Sequence, residues 1–117
     1  MGSGIIKYNK LVRDKIPEII EQSGIKPVVH IADDAELWLK LGEKLLEEVK
    51  EFVAAKPEEQ INELADISEV IDTIMRFKGW SLFKLNLVKD KKRQEKGGFR
   101  KRIVLEEAWT TRLEASF

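Results

Sequence analysis

The sequence predicts an all-α fold built around two long antiparallel helices. Three observations carry the prediction. Apolar residues recur at helical spacing through the middle of the chain. Gly or Pro stands where each periodic stretch stops. The one extended stretch, Lys26 to Ile31, is too short to build a sheet alone.

Arg13 to Gln22 reads as a first short helix, with Asp14 as its cap, Pro17 in its first turn and Gly24 at its end. Ile16, Ile19 and Ile20 give it an apolar side. Asp33 and Asp34 then offer an N-cap, and Glu36 stands three residues after Asp33 as in a capping box. From there Leu37, Leu41, Leu45, Val49 and Phe52 fall at helical spacing, so a long helix runs to about Ala55. Pro57, Glu58 and Glu59 suit the start of the next helix. Ile61, Leu64, Ile67 or Ser68, Ile71, Ile74 and Met75 form its stripe, and Gly79 ends it. Ser81 can cap a fourth helix from Leu82 to about Glu95, with Leu82, Leu85 and Val88 inward and Gly97-Gly98 as the break. Ile103 to Leu113 reads as a weaker, amphipathic final helix.

Residues 1–7 read as an N-terminal tail whose Met1-Gly2-Ser3-Gly4 is foreign to the fold. Residues 8–117 read as one domain, consistent with 117 residues of which 43% are hydrophobic. The absence of Cys excludes a disulfide framework, a Cys zinc site, an iron–sulfur cluster and a cysteine nucleophile. No apolar run approaches the ~18 residues needed to cross a bilayer. No signal-peptide h-region is visible, so the expected location is the cytoplasm.

The net charge is zero, yet the charges are segregated. Residues 33–72 hold thirteen acids and four bases, whereas residues 73–104 hold eleven bases and two acids. Such separation is costly unless the halves meet or each meets a ligand. An acidic half holding a cation and a basic half holding an anion would use both; two solvated faces of opposite sign are the plainer explanation.

The most specific signal lies on the two long helices. The first carries Glu47-Glu48-x-x-Glu51 and the second Glu63-x-x-Asp66. Residues three apart share a helix face, so each helix points a pair of carboxylates one way. The tight connection at Lys56-Pro57 makes the helices antiparallel neighbours and brings the pairs level. Four carboxylates meeting there repel unless a cation neutralises them. An oxygen-only set without Cys or a nearby His suits Mg²⁺, with Mn²⁺ as a substitute. Glu43, Glu59 and Glu69 read as solvated acids. A P-loop is excluded because no GxxxxGK occurs, and a ferritin-like di-iron site because His30, the one histidine, lacks the Glu-x-x-His context.

Glu-x-x-Glu followed by Glu-x-x-Asp on successive helices resembles the all-α nucleotide pyrophosphohydrolase superfamily, which includes MazG, dimeric dUTPases and phosphoribosyl-ATP pyrophosphohydrolase. Two further stretches, Asn9-Lys10-Leu11-Val12-Arg13-Asp14-Lys15-Ile16-Pro17-Glu18 and Lys96-Gly97-Gly98-Phe99, are similar to the short MazG-related proteins often labelled phosphoribosyl-ATP pyrophosphohydrolase-like. The resemblance spans about Tyr8 to Leu105.

The resemblance implies Mg²⁺-dependent cleavage between the α and β phosphates of a nucleotide, giving a monophosphate and pyrophosphate. It makes Glu48, Glu51, Glu63 and Asp66 the metal ligands. Glu47 is the other acid of the EExxE pattern, and Glu47 and Glu48 are the catalytic candidates that would orient the attacking water. Lys10, Arg13 and Lys15 near the start, and Lys89, Lys92, Arg93 and Lys96 in the basic half, are the candidates to hold phosphates. Trp38, Trp80 and Phe99 could line a base pocket, although core packing explains two of them as well. The resemblance also implies a four-helix-bundle-type core completed by oligomerisation, as a homodimer or a dimer of dimers, with a site that can borrow residues from a neighbour.

The expected activity is house-cleaning hydrolysis of non-standard or excess nucleoside triphosphates. Phosphoribosyl-ATP hydrolysis in histidine biosynthesis is the first alternative. A helical module binding nucleic acid through Lys89 to Arg102 is the second; the acidic half and the lack of a recognised motif oppose it.

Overall fold

The computed structural model describes residues 4–109 and 111. Four α-helices follow in order: α1 (Ile16–Gln22), α2 (Asp34–Ala54), α3 (Gln60–Lys78) and α4 (Leu82–Lys96). A single 3₁₀ turn, Pro57–Glu59, leads into α3. No strand occurs among the described residues, and the stretch 26–31 is extended but unpaired. The fold is therefore all-α. The chain divides into two compact units, Met1–Ser81 with α1 to α3 and Leu82–Phe117 with α4.

Local chemistry explains the boundaries. Asp33 is the N-cap of α2, and its Oδ1 accepts the Glu36 N–H at 2.9 Å. The Glu36 carboxylate meets His30 Nε2 at 2.8 Å, so the lone histidine braces the entry to α2. Gly79 ends α3 with φ +71°; its N–H donates to the Arg76 carbonyl and the Trp80 N–H to that of Met75, a Schellman closure. Gly24 closes α1 the same way at φ +86°.

Three expectations need correction. First, α1 starts at Ile16, and Lys15 rather than Asp14 is its N-cap, without a side-chain cap bond. Had Asp14 been the cap, its third-position donor would be Pro17, which has no N–H to give. Second, residues 103–109 and Thr111 are not helical, while Thr110, Arg112 and Leu113 of the expected last helix lie outside the described residues. Arg102 at φ +60° turns the backbone away from helical geometry just before that stretch. A short helix with no neighbour to cover its apolar side is also marginal in water. Third, Leu82 and Val88 of α4 are exposed and only Leu85 is half-buried. Among the described residues α4 is the sole helix of its unit, so its stripe meets no helical partner there.

The packing that positions the site is the α2–α3 hairpin. Its inner row on α2 is Leu37, Leu41, Leu45, Glu48 and Phe52, with Leu41 only 1% exposed. The facing row on α3 includes Glu63, Asp66, Ile67, Val70 and Ile74. Trp38 stacks on Phe77 at 5.7 Å between ring centres and joins the end of the hairpin remote from the turn. The expected apolar stripes are shifted. Val49, Ile61 and Leu64 are exposed, and Glu48 and Glu63 occupy the packed rows instead. The cause is a surplus of apolar residues, because each helix carries two apolar rows and one hairpin contact covers only one.

The uncovered rows have a simple geometry. Leu46, Val49 and Val53 follow Leu45, Glu48 and Phe52; Leu64 and Ile71 follow Glu63 and Val70. Each is rotated about 100° in the same sense from its packed neighbour. In an antiparallel pair the same rotation brings both rows to one side of the hairpin. That side also carries Leu39 and Ile61 and is broadly exposed, reaching 77% at Val53 and 70% at Ile61.

Candidate metal centre

Glu48 lies about two turns before the end of α2, and Glu63 and Asp66 lie within two turns of the start of α3. The short connection therefore folds them to one level. Each of the three offers a carboxylate oxygen within 4.8 Å of the other two. The positive end of α3 favours Glu63 in its first turn.

The burial is unusual for acids. Glu48 is 5% exposed, and its Oε2 and the Oε2 of Glu63 are buried with no hydrogen-bond partner. An orphaned buried oxygen costs about 1–3 kcal/mol, so folding opposes this arrangement unless something else fills the gap. Burial, then the adjacent Glu51 carboxylate, pushes the Glu48 carboxyl above its ordinary range; Lys44 pulls the other way without cancelling them.

Cations ring the cluster on its outer side. Lys44 Nζ stands 3.3 Å from Glu48 Oε1 and 3.4 Å from Glu47 Oε2. Lys10 Nζ donates to Glu47 Oε1 at 3.1 Å, and Arg13 Nη2 donates to Asp66 Oδ1 at 2.8 Å. Burial pushes the Glu47 carboxyl up, but Lys10 and Lys44 outweigh it and hold the group below the ordinary carboxylate range. The Glu47 hydrogen bond in turn raises Lys10, against a smaller effect of burial.

The site residues expected from sequence thus divide. Glu48, Glu63 and Asp66 converge, with Glu47, Lys10 and Arg13 around them. Glu51 lies beside that triad: it is exposed and lines an open cleft of about 530 Å³ with Glu63, Ala54, Ala55, Glu58 and Glu59. Lys15 is exposed at the N-cap of α1. Lys89, Lys92 and Lys96 are exposed on α4 in the second unit, where Arg93 pairs with Asp90 at 3.2 Å. Of the aromatic candidates, Trp38 stacks on Phe77 with Lys78 over its ring, and Phe99 is fully solvated. Trp38 precedes Glu48 by about 15 Å along α2.

Two participants escaped the sequence reading. Lys44 was legible as an i, i+3 and i, i+4 partner of Glu47 and Glu48. Lys40, whose Nζ donates to the Asn9 carbonyl at 2.5 Å, has no local signal, because the contact joins distant parts of the chain.

The donor set can hold a metal ion. Oxygens around one hard cation at about 2.1 Å lie ~3.0 Å apart when adjacent and ~4.2 Å when opposite, so the three carboxylates are grouped on the scale of one ion and would draw in around it. Two of the three residues, Glu48 and Glu63, also carry a buried oxygen with no hydrogen-bond partner.

No protein-family model matches the chain, and no solved structure matches it. A stretch of 46 residues is 52% identical to an uncharacterized protein of Mycolicibacterium smegmatis, covering 39% of this chain and 47% of that protein. The chain thus spans about half the length of the relative it matches. Among the described residues no helix is long and apolar enough to cross a membrane.

Proposed function

We propose that the protein is a Mg²⁺-dependent, MazG-like nucleoside triphosphate pyrophosphohydrolase. It cleaves the α–β phosphoanhydride bond of non-standard or excess nucleotides and releases a monophosphate and pyrophosphate. The observation that carries the reading is the buried, unpaired Glu48 oxygen converging with Glu63 and Asp66. Lys44 meets only Oε1 of Glu48, and the buried Oε2 left without a partner is an atom a bound cation would satisfy.

Glu48, Glu63 and Asp66 hold the ion, with Glu51 at the cleft edge completing the set. Oxygen-only donors favour Mg²⁺, with Mn²⁺ as its substitute. A magnesium ion held there supplies positive charge for phosphate oxygens and lowers the pKa of a bound water. The water oxygen forms the new bond to phosphorus, the bridging P–O bond breaks, and the proton passes to a carboxylate. Glu47, 3.4 Å from Lys44, and Glu48 are the candidate acceptors. Lys10, Arg13 and Lys15 face the outer phosphates.

The quaternary proposal rests on the exposed side of the hairpin. Leu39, Leu46, Val49 and Val53 with Ile61, Leu64 and Ile71 form one apolar face, and Gly42 and Ser68 in the same rows permit close approach. Two such faces together make a four-helix bundle in a homodimer. Sedimentation should give a dimer, and Leu46→Glu with Val53→Glu should give a folded monomer; a monomeric wild type refutes this part.

The test of activity is pyrophosphate release across a panel of standard, damaged and phosphoribosylated nucleotides, with Mg²⁺ and with EDTA. Glu63→Gln should lower turnover by at least about 100-fold, since even partners behind a metal ligand are worth 10–100-fold. No turnover of any panel member, or full activity in Glu63→Gln, overturns the reading.

A further inference from the structure

The segment Asn9 to Arg13 crosses the outer side of the acidic cluster like a strap. It is tied at three points. Lys40 Nζ holds the Asn9 carbonyl, Lys10 reaches Glu47, and Arg13 reaches Asp66. Asn9 has φ +47°, a left-handed conformation that asparagine tolerates better than most residues, and it bends the chain where the strap begins. The strap residues belong to no helix, and Lys10 and Arg13 remain solvent-accessible, with Arg13 57% exposed in its side chain.

Arg13 donates to Asp66, one of the three acids that converge. Its guanidinium and a divalent cation therefore compete for the same carboxylates. The strap does not neutralise the site, because Glu47, Glu48, Glu51, Glu63 and Asp66 still outnumber Lys10, Arg13 and Lys44 around them. Nor does it reach the buried Oε2 atoms of Glu48 and Glu63, which stay unpaired with the strap closed. The remaining attraction lies deep in the cluster, whereas the strap contacts lie on its surface.

We propose that the strap is an internal counter-ion lid. Lys10 and Arg13 cover the acidic cluster when it is empty of metal and are expelled when a divalent ion binds, which frees both side chains for an incoming polyphosphate. The inference rests on the metal reading of Glu48, Glu63 and Asp66 and adds an order of events: cation first, anion second. Linkage makes the coupling reciprocal, so whatever the closed strap subtracts from ion affinity, the bound ion subtracts from strap closure. Exposed ion pairs of this kind shift an equilibrium by no more than about fivefold each. The lid is therefore a weak latch, readily opened.

Two measurements test it. In Mn²⁺ titrations followed by calorimetry, Arg13→Gln and Lys10→Gln should each bind Mn²⁺ about two- to fivefold more tightly than wild type. Lys15→Gln, which removes the same charge from a residue outside the strap, should not. In limited proteolysis, Mn²⁺ should speed tryptic cleavage after Lys10 and Arg13, corrected for its effect on trypsin with a free peptide. Unchanged or weaker Mn²⁺ binding in Arg13→Gln, an equal gain in Lys15→Gln, or strap cleavage indifferent to Mn²⁺ overturns the lid while leaving the metal site standing. Failure of the wild type to bind Mn²⁺ overturns the metal site itself, and the lid with it.

Discussion

Replacing Glu48 by Gln should stabilise the protein in the absence of metal. The wild type buries two carboxylate oxygens, Glu48 Oε2 and Glu63 Oε2, with no hydrogen-bond donor for either. A Gln amide at position 48 supplies a donor beside Glu63 and removes one of the like charges. Each unsatisfied buried group costs about 1–3 kcal/mol. Against this stands the buried Lys44 ion pair, whose loss is limited because the Gln carbonyl still accepts a hydrogen bond and Lys44 keeps Glu47 at 3.4 Å as a counter-ion. The net gain is about 1–2 kcal/mol, or roughly 4 to 10 °C in Tm for a chain of this size.

The pH dependence of that gain has a definite sign. The folded state raises the Glu48 carboxyl above the ordinary value of 4.5, so it binds this proton more tightly than the unfolded chain does. Glu48 therefore favours folding below the ordinary value and loses that contribution as pH rises through the raised one. The gap between Glu48→Gln and wild type should be wide at neutral pH and close near pH 4. Thermal unfolding in EDTA from acid to neutral pH reads this directly. Added Mn²⁺ should stabilise the wild type and leave the variant nearly unmoved. Destabilisation of Glu48→Gln in EDTA at neutral pH, or a gap that does not vary with pH, refutes the reasoning.

Three further outcomes follow from the geometry. Leu41→Ala, at the most deeply buried side chain, should cost about 2–4 kcal/mol in urea unfolding. Gly79→Ala should cost about 1–2 kcal/mol through backbone conformation alone, since φ is +71° and a Cβ there meets nothing within 4 Å; a neutral result in thermal unfolding would show that the α3 terminus is not held in this form. Lys10→Gln should act oppositely to Glu48→Gln in its pH profile. Lys10 helps hold Glu47 below the ordinary 4.5, a contribution present above that value and lost as pH falls through the depressed one. Its removal should lower stability at neutral pH by no more than about 1 kcal/mol, because the pair is partly solvated.

The helices were readable because their signals are local. Asp33 before α2, Pro57 before α3 and Gly79 after it act within one turn, and the i, i+3 acids declare a shared face without any partner being known. The antiparallel register of Glu48 with Glu63 and Asp66 was within reach for the same reason, since a short connection leaves two neighbouring helices little choice. Asp14 failed as a cap through a local fact that was present but outweighed, the missing N–H of Pro17.

What periodicity could not settle was which of two apolar rows would be covered. Val49 and Glu48 are adjacent, and only the packing of α2 on α3 determines that the carboxylate turns inward and the valine outward. Burial, and with it the raised Glu48 carboxyl, is a property of that contact and not of the residue. The ties from Lys10, Arg13 and Lys40 likewise join residues distant in sequence. A helix turn is specified by neighbours a few positions apart; a buried charge and its counter-ions are specified only when distant segments share one space.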